Sequence, residues 1–218
     1  DNGRMVRLLV TRPEPDASET AARLRALDIE PVIDPMLFAR TLNTTLPAAD
    51  GFAALALTSA NALRALHDRG EIPRLRKLPV YAVGDRTAAT AREFGFAEVF
   101  SAQGNVDDLV ALLAKAGVDG PVLYATARQQ SADLAKALAP HGVMVITAAV
   151  YEMNPASRLT VQLGDCDGAL FYSRRTAETF ARLAPESDRG RPGMLCVSEA
   201  VAEPLLAAHF VRVSLADY

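Results

Sequence analysis

The chain has 218 residues, of which 50% are hydrophobic and 22% charged, and its formal net charge is −3 at pH 7. This is a globular composition that excludes a disordered chain, and the absence of a basic excess argues against general nucleic-acid binding. The longest apolar runs are strand-sized and far shorter than the roughly 18 residues of a membrane-spanning helix, so we expect no membrane association.

The cysteine content favours a reducing compartment. Two cysteines, Cys166 and Cys196, are too few for a disulfide framework or a zinc site. Free buried thiols are therefore their expected state. No basic-then-apolar signal sequence opens the chain, and we expect a cytoplasmic protein.

Short β-branched or apolar runs alternate with stretches of helical period along the chain. The predicted strands are Val6–Val10, Ile29–Ile33, Phe52–Leu57, Val80–Val83, Glu98–Phe100, Val122–Tyr124, Met144–Tyr151, Ala169–Tyr172, Leu195–Val197 and Val211–Ser214. The predicted helices are Ser18–Leu27, Ala60–Asp68, Thr87–Phe94, Val106–Ala116, Ala132–Ala139, Thr176–Leu183 and Ala200–Ala208. Cap-forming residues precede several of these helices: Ser59, Asp85, Asn105, Ser131, Ser173 and Ser198. The alternation predicts βαβ units, parallel sheets and an α/β fold.

The sequence also repeats itself coarsely at an offset of about 115 residues. The segment from Leu8 to Pro35 resembles the segment from Val122 to Tyr151. The segments that begin at Ala54 and Pro79 likewise resemble those that begin at Ala169 and Gly193. Because the matches keep chain order, they predict two similar α/β lobes, each a parallel sheet flanked by helices, with a cleft between them.

Ligands of open parallel sheets bind beyond the carboxyl ends of the strands, at helix N-termini. The residues predicted there are mainly hydroxyls, backbone N–H groups and arginines: Thr11-Arg12, Thr58-Ser59, Gly84–Thr87, Thr126–Arg128, Ser173–Arg175 and Ser198. This set suits a polyanionic ligand. No phosphate-binding or dinucleotide-binding glycine motif occurs, and no nucleophile elbow. We therefore expect no nucleotide cofactor. His67, His141 and His209 lack metal-ligand spacing, so we also expect no metal.

Five ordered segments carry a family resemblance: Leu8-Leu-Val-Thr-Arg-Pro13, Leu57-Thr-Ser-Ala-Asn-Ala62, Val80-Tyr-Ala-Val-Gly-Asp-Arg-Thr-Ala88, Val150-Tyr-Glu152 and Ala169-Leu-Phe-Tyr-Ser173. Together they resemble the uroporphyrinogen-III synthase family over nearly the whole chain. The resemblance implies a discontinuous first lobe (residues 1–34 and 154–218) and an inserted second lobe (residues 38–148). It also implies a two-stranded linker near residues 30–38 and 148–155.

The resemblance further implies a reaction. Members of the family cyclise hydroxymethylbilane, a linear tetrapyrrole, to uroporphyrinogen III with inversion of the terminal ring and loss of water. This is a carbon–oxygen lyase step of haem biosynthesis and needs no cofactor. By the resemblance we expect a small-molecule substrate, and functional coupling to the preceding enzyme of the pathway stays open. The charge balance predicts no nucleic-acid partner, and a monomer is expected because no amphipathic surplus calls for a partner.

The resemblance assigns one catalytic residue and several binding residues. Tyr151 would donate a hydrogen bond to the departing hydroxyl, as a general acid or as an orienting group; the alternative is a half-buried strand tyrosine. The substrate-binding residues expected by resemblance or by position are Arg12, Ser59, Gly84, Arg86, Thr87, Arg128, Ser173, Arg174 and Ser198. The serines and Thr87 could instead only start helices, and the arginines could be solvated surface groups. Gly84 is expected to allow close backbone approach or a tight turn.

One segment departs from the family pattern. The turn that often reads Ile-Gly-Pro-Thr-Thr-Ala in the family reads Val197-Ser-Glu-Ala-Val-Ala202 here, so both threonines are lost. Ser198 and the following helix N-terminus are the expected substitutes. A noncatalytic two-lobed protein of the same fold, binding a tetrapyrrole or another small molecule, is the alternative function.

Overall fold

A computed structural model describes residues 3–130 and 132–216. The strands are β1 (Arg7–Val10), β2 (Glu30–Ile33), β3 (Leu37–Thr41), β4 (Ala54–Leu57), β5 (Val80–Ala82), β6 (Val99–Ser101), β7 (Val122–Ala127), β8 (Val145–Pro155), β9 (Gly168–Phe171), β10 (Gly193–Cys196) and β11 (Val213–Leu215). The α-helices are α1 (Asp16–Arg25), α2 (Ala60–Asp68), α3 (Ile72–Leu75), α4 (Asp85–Glu93), α5 (Val106–Lys115), α6 (Leu134–Leu138), α7 (Arg174–Leu183) and α8 (Glu199–Ala207). None of these helices is long and apolar enough to cross a membrane.

The described chain forms two compact units. One combines the residues up to Phe38 with those from Asn154 onward, and the other is Ala39–Met153. The sheet of the first unit has the strand order β11-β10-β9-β1-β2, and its neighbours pair in parallel. The second sheet has the order β3-β8-β7-β4-β5-β6, in which β8 to β6 are parallel neighbours. The predicted α/β class with two parallel sheets is confirmed.

The two sheets share one arrangement of five strands. The order β2-β1-β9-β10-β11 of the first sheet corresponds, at the sequence offset noted above, to β8-β7-β4-β5-β6 of the second. The second sheet carries one further strand, β3, beyond β8. The sequence repeat therefore reflects a repeated sheet topology.

Each sheet is covered by apolar side chains on both faces. In the second unit, Leu55 and Leu57 pack on one face of β4 with α2, while Ala54 and Ala56 pack on the other face with α5. All four residues of β4 are buried, as the continuous apolar run predicts for a central parallel strand. The first unit is built likewise, with separate clusters on the α7–α8 side and on the α1 side.

Two elements were not expected from the sequence. β3 is an edge strand whose central residues, Phe38 to Arg40, are exposed, so it lacks a buried apolar pattern. α3 is a single helical turn, too short to show a helical period. Residues 30–38, expected as one linker strand, are divided between β2 and β3, because Pro35 has no N–H for a strand ladder.

Most of the predicted helix caps are confirmed. Ser59, Asn105, Ser173 and Ser198 each accept a hydrogen bond from a backbone N–H of the first turn of the following helix. The prediction for Asp85 is wrong: Gly84 occupies the cap position, and Asp85 is the first residue of α4. Ser131 lies outside the described residues, and Asp133 caps α6.

Candidate functional site

The carboxyl edge of the second sheet gathers most of the predicted site residues. Thr58 and Ser59 follow β4, Gly84 follows β5, and Arg128 follows β7. Since these strands are parallel neighbours, the three connections begin at the same edge of the sheet. The structure thus places Ser59, Gly84, Arg86, Thr87, Arg128 and Tyr151 in one unit.

Tyr151 reaches this edge through an irregularity in β8. Thr126 of β7 pairs with Ala149, but the next residue, Ala127, pairs with Tyr151, so Val150 is an extra residue in β8. A bulge of this kind reverses the facing of the residues that follow it. Val150 and Tyr151 are consecutive, yet both pack into the cluster that contains Leu57 on the α2 side.

The phenol of Tyr151 is held among polar groups of α2. Tyr151 is 7% exposed, and its hydroxyl interacts with the side chains of Ser59 and Asn61. Burial raises the pKa of Tyr151, while hydrogen bonding to Ser59 and the positive charge of Arg64 act in the opposite direction. Arg64 Nη2 in turn donates to Asn61 Oδ1 at 2.8 Å. Tyr151 is therefore a neutral phenol, a hydrogen-bond donor, at physiological pH.

Ser59 has two roles at once. Its Oγ accepts from the backbone N–H of Asn61 at 3.1 Å and so caps α2. The same side chain contacts the Tyr151 hydroxyl. The helix cap and the contact to the candidate catalytic tyrosine are thus both present, so the structural role of Ser59 does not exclude a functional one.

A second, fully buried tyrosine lies behind this edge. The Tyr124 hydroxyl is 3.1 Å from Thr58 Oγ1 and accepts from Thr126 Oγ1 at 3.2 Å. The three hydroxyls join the ends of β4 and β7. Sequence reasoning missed Tyr124; the signal was a hydroxyl-bearing residue within an otherwise apolar strand, because such a group needs a partner when it is buried.

The start of α4 presents an open backbone. Gly84 has an extended conformation, φ −146°, which any residue adopts, so the tight turn expected there is wrong. A Cβ at this position would meet no atom within 4 Å, so space beside the backbone remains for a ligand. Thr87 is buried in the first turn of α4, and Arg86 is exposed and makes polar contacts of its own.

Two arginines converge on a buried glutamate next to Tyr151. Glu152 accepts from Arg40 Nε at 2.8 Å, and also from Arg40 Nη2, through one carboxylate oxygen. Its other oxygen accepts from Arg128 Nη1 at 2.6 Å. The backbone N–H of Arg128 also donates to the Tyr151 carbonyl at 2.8 Å. Sequence reasoning proposed Arg128 but gave no role to Arg40 or Glu152.

In the first unit, the predicted binding residues make internal contacts. Arg12 lies over the Tyr172 ring, 4.2 Å from its centroid, and its Nη2 is 3.3 Å from Asp16 Oδ2. Arg174 forms ion pairs with Glu178 and Glu203.

The two predicted serines of the first unit are exposed and act as helix caps. Ser173 accepts from the Thr176 N–H at 3.2 Å, and Ser198 accepts from the Val201 N–H at 3.4 Å. Among the described residues, no group of three or more His, Cys, Asp or Glu side chains is arranged to hold a metal ion.

Comparison with known proteins identifies the family. The chain is similar over 97% of its length to uroporphyrinogen-III synthetase from Helicobacter pylori 26695, with 18% identity, a TM-score of 0.67 and 92% of that chain covered. A mutant uroporphyrinogen III synthase from Thermus thermophilus aligns with 98% of the chain and 94% of its own, at 18% identity and a TM-score of 0.54. At these identities the likeness shows the fold. No curated protein matches significantly. The family Uroporphyrinogen-III synthase HemD matches residues 18–217, and the chain therefore belongs to this family.

Proposed function

We propose that this protein is a uroporphyrinogen-III synthase that converts hydroxymethylbilane to uroporphyrinogen III with loss of water. The observation that carries the proposal is the buried, neutral phenol of Tyr151, held by Ser59 and Asn61 at the carboxyl edge of the second sheet. The family of the chain supplies the reaction. The position of the Tyr151 phenol at this edge, where ligands of open parallel sheets bind, supports its role as the proton donor.

The proposed chemistry begins at the terminal hydroxymethyl group. The C–O bond breaks with assistance from the pyrrole nitrogen lone pair, and the hydroxyl leaves as water as Tyr151 donates a hydrogen bond and a proton to it. The electron-poor azafulvenium cation is then attacked by the substituted carbon of the last ring, which forms a spiro-type intermediate. Rearrangement of this intermediate inverts the ring and closes the macrocycle, and the ring proton that is then lost returns to the Tyr151 phenolate and restores the phenol.

The surrounding groups position the substrate. Its rings carry acetate and propionate groups, and the N-termini of α2 and α4 present backbone N–H groups and positive dipole ends to such anions. The open space beside Gly84 lets a ligand approach that backbone closely. We attribute most of the rate acceleration to the orientation of the reacting carbons in the site, because orientation alone lowers such barriers by several kcal/mol.

The test measures which porphyrin isomer forms from freshly generated hydroxymethylbilane after oxidation. Unassisted closure gives isomer I because no ring is inverted, so the wild-type protein should give predominantly isomer III. Tyr151→Phe should lower turnover by about 10² because it removes the donor and keeps the ring. Tyr81→Phe, on β5 of the same sheet, is the matched control and should retain turnover.

Two results would contradict the proposal. Isomer I alone from folded wild-type protein would indicate the noncatalytic, ligand-binding alternative. Near-wild-type turnover by Tyr151→Phe would remove Tyr151 from the chemistry while leaving the overall reaction in place. Cytoplasmic location, a monomeric state and functional coupling to the preceding enzyme stay predictions.

A further inference from the structure

The geometry points to a carboxylate-binding subsite formed by Arg40 and Arg128 and positioned by Glu152. The inference rests on the proposed function for the identity of its ligand, one of the acetate or propionate groups of the tetrapyrrole. All three residues belong to the second unit, on β3, after β7 and on β8. Arg40 and Glu152 gain a role that the sequence did not indicate.

The burial of the three side chains differs sharply. The Glu152 side chain is 8% exposed, whereas those of Arg40 and Arg128 are 61% and 55% exposed. The glutamate therefore fixes one side of each guanidinium group from within the protein, and the other side faces solvent. The bonds to Glu152 use only a minority of the N–H donors that two guanidinium groups carry.

The charge of the cluster favours an anion. One guanidinium would suffice to neutralise Glu152, so two leave a net positive charge. Because both groups bind the same carboxylate, the two guanidinium groups are neighbours. A second carboxylate can then accept charge-assisted hydrogen bonds from both of them.

The strand register places this subsite away from the reacting hydroxyl. Side chains alternate along a strand, so Glu152 faces the side of the sheet opposite to Tyr151. Met153, the next residue, packs again on the cluster that holds Tyr151. A group bound at the subsite therefore belongs to a part of the substrate that does not react. Such contacts act equally on the substrate and the transition state, so they lower KM and leave kcat unchanged.

The experiment uses the full chain and neutralises the two arginines of the subsite. Arg40→Gln and Arg128→Gln should each raise KM for hydroxymethylbilane about tenfold, with kcat within a factor of about three. Each single change leaves the buried Glu152 with one charge partner fewer, so the variant loses stability. The triple variant Arg40→Gln/Arg128→Gln/Glu152→Gln removes that defect, because no charge remains in the cluster. It should fold and still show the raised KM.

Two further variants separate position from charge. Glu152→Gln keeps both arginines and releases them, so KM should rise severalfold at unchanged kcat. Lys115→Ala, an exposed lysine at the end of α5, removes one positive charge elsewhere in the same unit and should leave KM unchanged. A KM for the triple variant equal to that of wild type would overturn the subsite. An unchanged KM for Glu152→Gln would overturn the positioning role.

Equilibrium binding of uroporphyrin III, the oxidised product and a polycarboxylate, separates this inference from the proposed function. The triple variant should bind it about tenfold or more weakly than wild type, followed by absorbance of the porphyrin. If the wild type makes no isomer III but this contrast in binding persists, the proposed function fails and the subsite stands. If isomer III forms and the triple variant binds and turns over like wild type, the subsite fails alone.

Discussion

Replacing Tyr124 with Phe removes one hydroxyl from the interior of the second unit and leaves the ring in place. Tyr124 is 0% exposed, and its hydroxyl lies 3.1 Å from Thr58 Oγ1 and 3.2 Å from Thr126 Oγ1. Two neutral hydrogen bonds are lost, and the Thr126 hydroxyl is left without this acceptor. We expect the free energy of unfolding to fall by about 1–2 kcal/mol. The loss stays in this range because Thr58 is only half-buried and can turn towards water.

Urea denaturation followed by circular dichroism measures the change, and amide exchange of β4 and β7 locates it. The melting temperature should fall by roughly 2–8 °C on the usual scaling for a chain of this size. Tyr81→Phe is the control: Tyr81 lies on β5, outside the hydroxyl cluster of Thr58, Tyr124 and Thr126, so its change should cost less than about 0.5 kcal/mol. Equal stability of Tyr124→Phe and wild type would refute the reasoning, as would an equal loss in the control.

Three further predictions concern other buried groups. Cys166 and Cys196 are buried free thiols, and burial raises the pKa of both, that of Cys196 to about 11. A thiol reagent at pH 8 should therefore modify them far more slowly in native than in denatured protein, and prompt reaction of the native protein would contradict this. Buried Asp34 accepts hydrogen bonds from the Thr160 N–H at 2.8 Å and from the Thr160 Oγ1 at 2.9 Å. Asp34→Ala should therefore lower the free energy of unfolding by about 2 kcal/mol, measured as a lower urea midpoint, and an unshifted midpoint would disprove this. Burial raises the pKa of Tyr151 above its unfolded value, so the folded protein is stabilised relative to the unfolded chain below pH 10 and loses this stabilisation as pH rises further. The urea midpoint of Tyr151→Phe should therefore decline less steeply than that of wild type between pH 9 and 11, and parallel declines would count against this.

The central strands and most helix starts could be predicted because their signals are local. β4 is an unbroken apolar run because both of its faces are covered, and Ser59 and Asn105 bond to backbone groups within three residues. β3 could not be predicted because an edge strand with exposed residues carries no buried pattern. Its pairing with β8 joins residues more than a hundred positions apart, as the Arg40–Glu152 bond shows.

The candidate site was predictable only in part, for a related reason. The resemblance suggested Tyr151 and Ser59, and the structure places the two side chains in contact. The extra residue in β8 is a property of the pairing between two strands, so neither strand sequence reveals it. Of the two roles expected for Gly84, the tight turn is wrong because the backbone is extended, and the open space beside it agrees with a close backbone approach.

The bulge in β8 has a consequence for how the two halves of a duplicated fold diverge. Deleting Val150 would restore one-to-one pairing with β7 and leave Tyr151 opposite Ala127 on the α2 side, with Glu152 still on the other face. One repeat can therefore gain or lose a residue in this strand while its site side chains keep their facing and both sheets keep the same strand order. A bulge thus separates the length of a strand from the arrangement of the groups beyond it, so two repeats of unequal length can retain equivalent sheet edges.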